Sequence, residues 1–229
     1  MGIVILGAGQ AAAAMAARLR ALGHAGPLTV IGEEPVPPYQ RPPLSKAYLL
    51  GEMGVDRLTL RAPEWWAEQG IELRTGERAL SIDRTAGCVT TTAGTVPYEA
   101  LALATGAAAR RLPAAMGGDL PGVHVVRDLA DVDRLRPEMD AARRIVVIGG
   151  GYVGLEAAAV ARKLGLDVAL IESASRILSR VAAPETADML RALHLAHEVQ
   201  LLEGTGLSRI TGDARADGVD LLDGRHLPA

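Results

Sequence analysis

At 229 residues the chain can bury one large core or two modest ones. Its 49% apolar content is that of a globular protein. A net charge of −3, scattered Lys and Arg and no Phe argue against a nucleic-acid partner. Cys88 is the single cysteine, which excludes a disulfide framework, a Cys-rich zinc or iron–sulfur site and an intrachain redox dithiol. His24, His124, His194, His197 and His226 form no ligand spacing, so no metal is expected. The opening residues lack a basic n-region, and no later stretch reaches transmembrane length without a charge. The expectation is a cytosolic, soluble protein with no membrane partner, a monomer or weak dimer.

The first element is Ile3-Val4-Ile5-Leu6, a short unalternating run of the kind that forms a strand buried on both faces of a parallel sheet. Gly7-Ala8-Gly9 follows, then an Ala-rich helical stretch over residues 10–22 closed by Gly23. A second strand over residues 28–31 precedes Glu33. A Pro-rich loop (36–46) and a short helical stretch (64–69) come next. Strand-like pieces at 72–74, 78–83 and 88–92, with a turn at Ala93-Gly94, suggest a β-meander. The apolar residues 101–104 run into Thr105-Gly106. The opening unit then recurs: Ile145-Val146-Val147-Ile148 leads into Gly149-Gly150-Gly151, a helical stretch spans 152–164, and a strand over 168–171 precedes Glu172. Residues 221–225 read as a hairpin turn whose partner strand is cut short. Two strand–helix–strand units predict an α/β fold with two Rossmann-like dinucleotide-binding domains, parallel sheets and a β-meander insertion. The first domain is placed at residues 1–110 and the second at 111–229.

Both glycine runs fit G-x-G-x-x-G/A. The first glycine makes a tight turn and the second admits a pyrophosphate. The third small residue keeps the helix close to the strand, and the helix N-terminus offers N–H groups to the phosphates. Gly7, Gly9 and Ala12 stand at these positions in the first unit, and Gly149, Gly151 and Gly154 in the second. Glu33 and Glu172 stand where an acid accepts from a ribose hydroxyl. One such run also serves ordinary βα turns; two, each with strand, helix and acid in place, point to two dinucleotides exchanging hydride. FAD with NAD(P)H is the natural pair.

The segment Pro38-Tyr39-Gln40-Arg41-Pro42-Pro43-Leu44-Ser45-Lys46 resembles the ferredoxin reductases of bacterial cytochrome P450 and ring-hydroxylating dioxygenase systems, within the pyridine nucleotide–disulfide oxidoreductase superfamily. Residues 101–106 (L-A-L-A-T-G), Val126-Arg127-Asp128 and residues 149–156 (G-G-G-Y-V-G-L-E) also match, in order along the chain. The resemblance implies a glutathione-reductase-like fold in which NADH reduces FAD, and FAD passes single electrons to an iron–sulfur ferredoxin of [2Fe–2S] type. It places Ala11, Glu33, Arg41, Lys46, Ala79, Thr105, Gly106 and Arg127 on the FAD side. It places Tyr152, Val153, Glu156, Glu172 and Arg180 on the NADH side. It further implies that Lys46 and Glu156 pair where hydride arrives, the two residues expected to be catalytic. The competing reading of Arg41, Lys46, Arg127 and Arg180 is solvated surface charge. Trp65-Trp66 reads as packing.

Disulfide reductases of this superfamily carry a redox C-x-x-x-x-C pair near the flavin loop. Here the corresponding stretch is Q-R-P-P-L-S-K-A, so a thiol relay is excluded. The family continues past this length, so the chain is expected to be incomplete. Alternatives left open are an NADH oxidase, the NADH component of a nitrite reductase, or a non-catalytic FAD/NAD-binding module.

Overall fold

A computed structural model describes residues 2–229. The chain divides into two compact units, one of Met1–Arg41 with Gly54–Ala108, the other of Pro42–Met53 with Ala109–Ala229. Residues 42–53 follow the first unit in sequence but group with the second.

In the first unit, strand β1 (Ile3–Leu6) leads to helix α1 (Gln10–Ala21) and strand β2 (Leu28–Ile31). Short helices α2 (Val55–Leu58) and α3 (Pro63–Glu68) precede strand β3 (Ile71–Arg74). Strands β4 (Ala79–Asp83), β5 (Cys88–Thr91) and β6 (Gly94–Pro97) form an antiparallel meander, and β7 (Ala100–Leu103) returns to the main sheet. That sheet is parallel, ordered β3-β2-β1-β7. Successive side chains of a strand point to opposite faces, and β1 uses both. Ile5 packs with Ala12, Ala13 and Ala16 of α1, Val30 and Trp66, while Val4 and Leu6 pack with Val89 and Val96 of the meander. Alanines on the buried stripe of α1 let the helix lie close to the sheet. Each buried branched side chain contributes about 1.5–3 kcal/mol. Trp65 and Trp66 meet edge to face at 5.1 Å with Trp66 buried, the packing role expected. The guanidinium of Arg20 donates to the carbonyls of His24, Gly26, Gln69 and Gly70, fastening the end of α1 to the α3–β3 connection.

The second unit repeats this plan. Helix α4 (Leu129–Ala141) precedes strand β8 (Arg144–Ile148), helix α5 (Tyr152–Lys163), strand β9 (Asp167–Ile171), helix α6 (Pro184–Ala196) and strand β10 (Gln200–Leu202). The parallel sheet is ordered β10-β9-β8. Strands β11 (Leu207–Thr211), β12 (Gly218–Leu221) and β13 (His226–Pro228) form a second meander, with the hairpin turn at Gly224 as expected. Ile171, Ile210, Val219 and Leu221 join sheet to meander.

The correspondence extends to single hydrogen bonds. Gly7 N–H donates to Ile31 O as Gly149 N–H donates to Ile171 O, both at 2.8 Å. Gly32 N–H donates to Arg74 O as Glu172 N–H donates to Leu202 O, both at 2.9 Å. Each meander breaks register near the start of its first strand, at Ala79/Ser81 and at Leu207/Arg209. The second meander, unlike the first, is not read from the sequence beyond its hairpin.

Residues 42–53 begin with a 3-10 turn over Pro42–Ser45 and bury Leu44 and Leu49. Tyr48 Oη donates to Asp133 Oδ1 at 2.6 Å, Arg136 of α4 donates to Leu49 O, and Lys163 of α5 pairs with Glu52 at 2.7 Å.

Candidate functional site

The ends of β1, β2 and β7 bring the first set of sequence-predicted residues to one edge of the first sheet. Gly7 has φ +102°, and a Cβ there would lie 2.1 Å from Ala104 O, so only glycine fits. Gly9 is the N-cap of α1, and a Cβ there would meet nothing within 4 Å. Among the described residues no side chain caps α1, and its first turn holds no acid. This differs from α4, where Asp128 and Asp131 close a reciprocal capping box. Uncapped N–H groups facing open space are what a phosphate requires. Ala12 is fully buried against the sheet, while Ala11 is exposed. Thr105 and Gly106 follow β7 and are exposed beside this turn.

Glu33 comes just after β2, with its side chain 68% exposed, and pairs with Arg78 at 3.4 Å. Ala79 opens β4 at the register break. Arg41 is no plain solvated charge: it pairs with Glu34 and lies 5.2 Å from the ring of Tyr39, whose hydroxyl donates to Glu34 at 2.5 Å. Tyr39 and Glu34 are absent from the sequence-based set. Tyr39 lies in the segment that carries the resemblance and Glu34 directly follows Glu33, but neither position by itself indicates a contact with Arg41.

In the second unit Gly149 has φ +108° and Gly151 is the N-cap of α5, again without a side-chain cap or a first-turn acid among the described residues. A Cβ on Gly154 would lie 2.1 Å from Gly149 O, so the third glycine lets the helix approach the turn. Tyr152 and Val153 are exposed on the first turn. Glu172 is fixed by two backbone donors, Gly150 N–H to Oε2 and Ala174 N–H to Oε1, each at 2.7 Å. Arg180 is exposed. Arg176, near enough in sequence to offset Glu172, instead donates to the carbonyls of Ile177, Ser179 and Ala182.

Lys46 and Glu156 meet as expected: Nζ lies 2.7 Å from Oε1. The other carboxylate oxygen accepts from Ser45 Oγ at 2.5 Å, and Lys46 Nζ also donates to Pro42 O at 3.2 Å. Ser45, missed in the sequence reading, is therefore a third member of this cluster. Both carboxylate oxygens are occupied, and the ammonium remains about half exposed. Nearby, burial and then the hydrogen bond to Asp133 push the Tyr48 hydroxyl up to about 12, so it stays a donor. Arg127 sits just before α4, its N–H donating to Asp131 Oδ2 at 3.1 Å.

Among the described residues, no helix is long and apolar enough to cross a membrane. The model of the pyridine nucleotide-disulphide oxidoreductase family matches residues 1–229. A 5,5'-dehydrodivanillate O-demethylase ferredoxin reductase subunit from a Sphingobium species is 43% identical over 98% of this chain and 55% of the relative. Rhodocoxin reductase from Rhodococcus erythropolis is 41% identical over 96% of this chain and 52% of its own length. The reductase in a solved covalent putidaredoxin reductase–putidaredoxin complex superposes with a TM-score of 0.92 at 37% identity, covering 100% of this chain and 56% of the other. The chain thus spans about half the length of the curated relatives it matches. With the duplicated glycine turns, the meanders and a family match over its whole length, the chain belongs to the pyridine nucleotide-disulphide oxidoreductase family.

Proposed function

We propose that this chain is the FAD- and NADH-binding part of a cytoplasmic reductase that delivers electrons to an iron–sulfur ferredoxin serving an oxygenase. The observation that carries the reading is the duplicated turn: two uncapped helix N-termini, each behind a glycine that opens onto free space. The relatives named as ferredoxin reductases support the choice of acceptor. When bound, FAD supplies the conversion between hydride transfer from NADH and release of single electrons.

The first unit holds FAD in this reading. The α1 turn at Gly7, Gly9, Ala11 and Ala12 takes the pyrophosphate, Glu33 takes the ribose, and Ala79 borders the adenine through its backbone. Arg41, Thr105 and Gly106 complete the set, and Arg127 is assigned with them. The second unit holds NADH through Gly149, Gly151, Tyr152, Val153, Gly154, Glu172 and Arg180. Lys46 and Glu156 serve hydride transfer. The carboxylate, loaded by Ser45 and Lys46, fixes the ammonium in one orientation, and a fixed cation stabilises negative charge developing beside it. Ser45 is the positioning residue of the three.

The test is the rate of flavin reduction by NADH in the whole protein. Lys46→Ala and Glu156→Ala should each slow it by roughly tenfold to a thousandfold, and the double variant should lose less than the product of the two. Two unchanged rates would remove the pair from the mechanism. Cytochrome c reduction that requires added ferredoxin supports the acceptor, whereas ferredoxin-independent oxygen consumption would replace this reading with an NADH oxidase.

A further inference from the structure

The segment between β9 and α6, residues 172–183, is folded down onto the second glycine turn by a set of side-chain and backbone contacts. Leu178 N–H donates to Gly150 O at 2.9 Å, with Leu178 in the left-handed region at φ 54°. The side chain of Ile177 is fully buried, and its Cγ2 lies where a Cβ on Gly150 would be only 2.7 Å away. Ile177 N–H donates to Glu203 Oε1 at 2.7 Å. Glu203 follows β10 and is gripped in turn by Arg191 of α6, whose Nε reaches Oε2 at 2.6 Å and whose Nη2 reaches Oε1 at 3.0 Å. Arg191 also pairs with Asp188.

The first unit shows that the fold does not need this clamp. Arg74 O and Leu202 O accept equivalent N–H groups, so the residue after Arg74, Thr75, stands where Glu203 stands in the second unit. The arrangement is therefore particular to the second glycine turn. It acts on the segment that carries Glu172 and Arg180, and it reaches the turn itself through Gly150, whose N–H binds Glu172 and whose carbonyl binds Leu178.

We propose that Glu203 is a positioning residue for nicotinamide-nucleotide binding: clamped by Arg191, it holds residues 176–178 against the second glycine turn, so that Glu172 and Arg180 are preset for the nucleotide. The inference rests on the reading of the second unit as an NADH site. Burial pushes the Glu203 carboxyl up, but the Arg191 guanidinium and the Ile177 N–H outweigh it and hold the group below the ordinary carboxylate range. The clamp is thus ionised at neutral pH. An ionised acceptor makes the stronger hydrogen bond to Ile177.

The experiment combines equilibrium titration of NADH with hydrogen exchange of the Ile177 and Leu178 amides in the nucleotide-free protein. Glu203→Ala should weaken NADH binding about tenfold and speed exchange at these two amides by at least about tenfold, with kcat at saturating NADH nearly unchanged. Exchange in β1, β2 and α1 should stay as in the wild type. Glu203→Gln, which keeps an acceptor but not the charge, should fall between the two. Arg191→Lys, a gentler change, should shift both readouts in the same direction and gives the answer if Glu203→Ala does not fold. Wild-type affinity in the folded variants overturns the positioning role alone. Weaker binding with exchange accelerated across the whole second unit also overturns it, because the effect is then general loosening. Wild-type protein that binds no NADH overturns the underlying reading and the positioning role with it.

Discussion

Gly7 and Gly149 occupy the same turn in two copies of one unit, so the cost of adding a methyl group can be separated into two parts. Their φ angles are +102° and +108°, in a region that L residues rarely adopt. Alanine at either position therefore costs about 1–3 kcal/mol in backbone strain. Only at Gly7 does the methyl also strike something. It would lie 2.1 Å from the carbonyl oxygen of Ala104 and 2.5 Å from its carbon, where ordinary contact begins at 3.4 Å. That carbonyl follows β7, which is paired to β1 along its length, so it cannot swing aside as a side-chain tip would. Forced displacement of this kind adds about 1–3 kcal/mol. At Gly149 a Cβ meets nothing within 4 Å, and β8 is paired on one side only among the described residues. The expected losses are thus about 2–6 kcal/mol for Gly7→Ala and about 1–3 kcal/mol for Gly149→Ala. Thermal unfolding followed by circular dichroism, with hydrogen exchange to assign the unit that opens, measures both. At about 4–8 °C per kcal/mol for a unit the size of the first, and somewhat less for the larger second, Gly7→Ala should lower the transition of its unit by at least about 4 °C more than Gly149→Ala lowers its own. Equal losses, or a larger loss at Gly149, would refute the steric part of the argument.

On the proposed reading, in which the carboxylate held by Gly150 and Ala174 accepts from a ribose hydroxyl and repels a 2′-phosphate, Glu172→Ala should lower the ratio of kcat/KM for NADH to that for NADPH by about tenfold or more; an unchanged ratio removes Glu172 from specificity. Gly32→Ala should destabilise by about 1–3 kcal/mol, since its methyl would sit 2.3 Å from Ala8 Cβ, and adding Ala8→Gly should recover most of the loss in a double-mutant cycle of denaturant unfolding. Glu138 accepts from His124 and Arg215, which hold its carboxyl below the ordinary value of 4.5 against the opposing effect of burial. A lowered folded-state value contributes stability that is present above about pH 4.5 and is lost as pH falls through the lowered value. Glu138→Gln should flatten that part of the acid unfolding profile, and a superimposable profile would show that the cluster contributes nothing there.

The glycine turns are legible in the sequence because three independent demands fall on a few adjacent residues: a doubly buried strand, a turn only glycine can make, and a helix packed by alanines. Lys46 and Glu156 are legible only through resemblance, since nothing local to either residue indicates a partner more than a hundred positions away. Ser45 carries no signal until α5 is folded against it. Helices α4 and α6 escape local reading for different reasons. Pro137 lies inside α4 and reads as a breaker, while α6 exposes Met189, Leu193 and Leu195, which blurs the contrast between its faces. β6 contains both Gly94 and Pro97. Residues 42–53 look like a continuation of the first domain because adjacency in sequence is all that a local reading has. Their grouping with the second unit depends on Asp133, Arg136, Glu156 and Lys163, all distant in sequence.

The two copies of the turn resolve the same crowding in opposite ways, and this sets how each presents its acid. Gly32 and Glu172 hold equivalent places after the second strand of their units, facing Ala8 and Gly150 respectively. In the first unit the methyl belongs to the turn, so the residue after β2 must be glycine, and the acid falls one position later. Glu33 is consequently exposed and pairs with Arg78 at 3.4 Å. In the second unit the turn gives up its methyl. A Cβ on Gly150 would lie 3.2 Å from Glu172 Cβ, so the acid can stand directly after β9 and take N–H groups from both sides of the loop. Removing Glu33 should therefore delete its proposed ribose contact and little else. Removing Glu172 also leaves the amides of Gly150 and Ala174 without their acceptor, which loosens the turn that Ile177 and Leu178 pack against. Under the proposed nucleotide assignment, the acid integrated into its loop is the one suited to act as a specificity filter, because a carboxylate fixed by two amides cannot rotate away from an incoming phosphate, whereas an exposed one can.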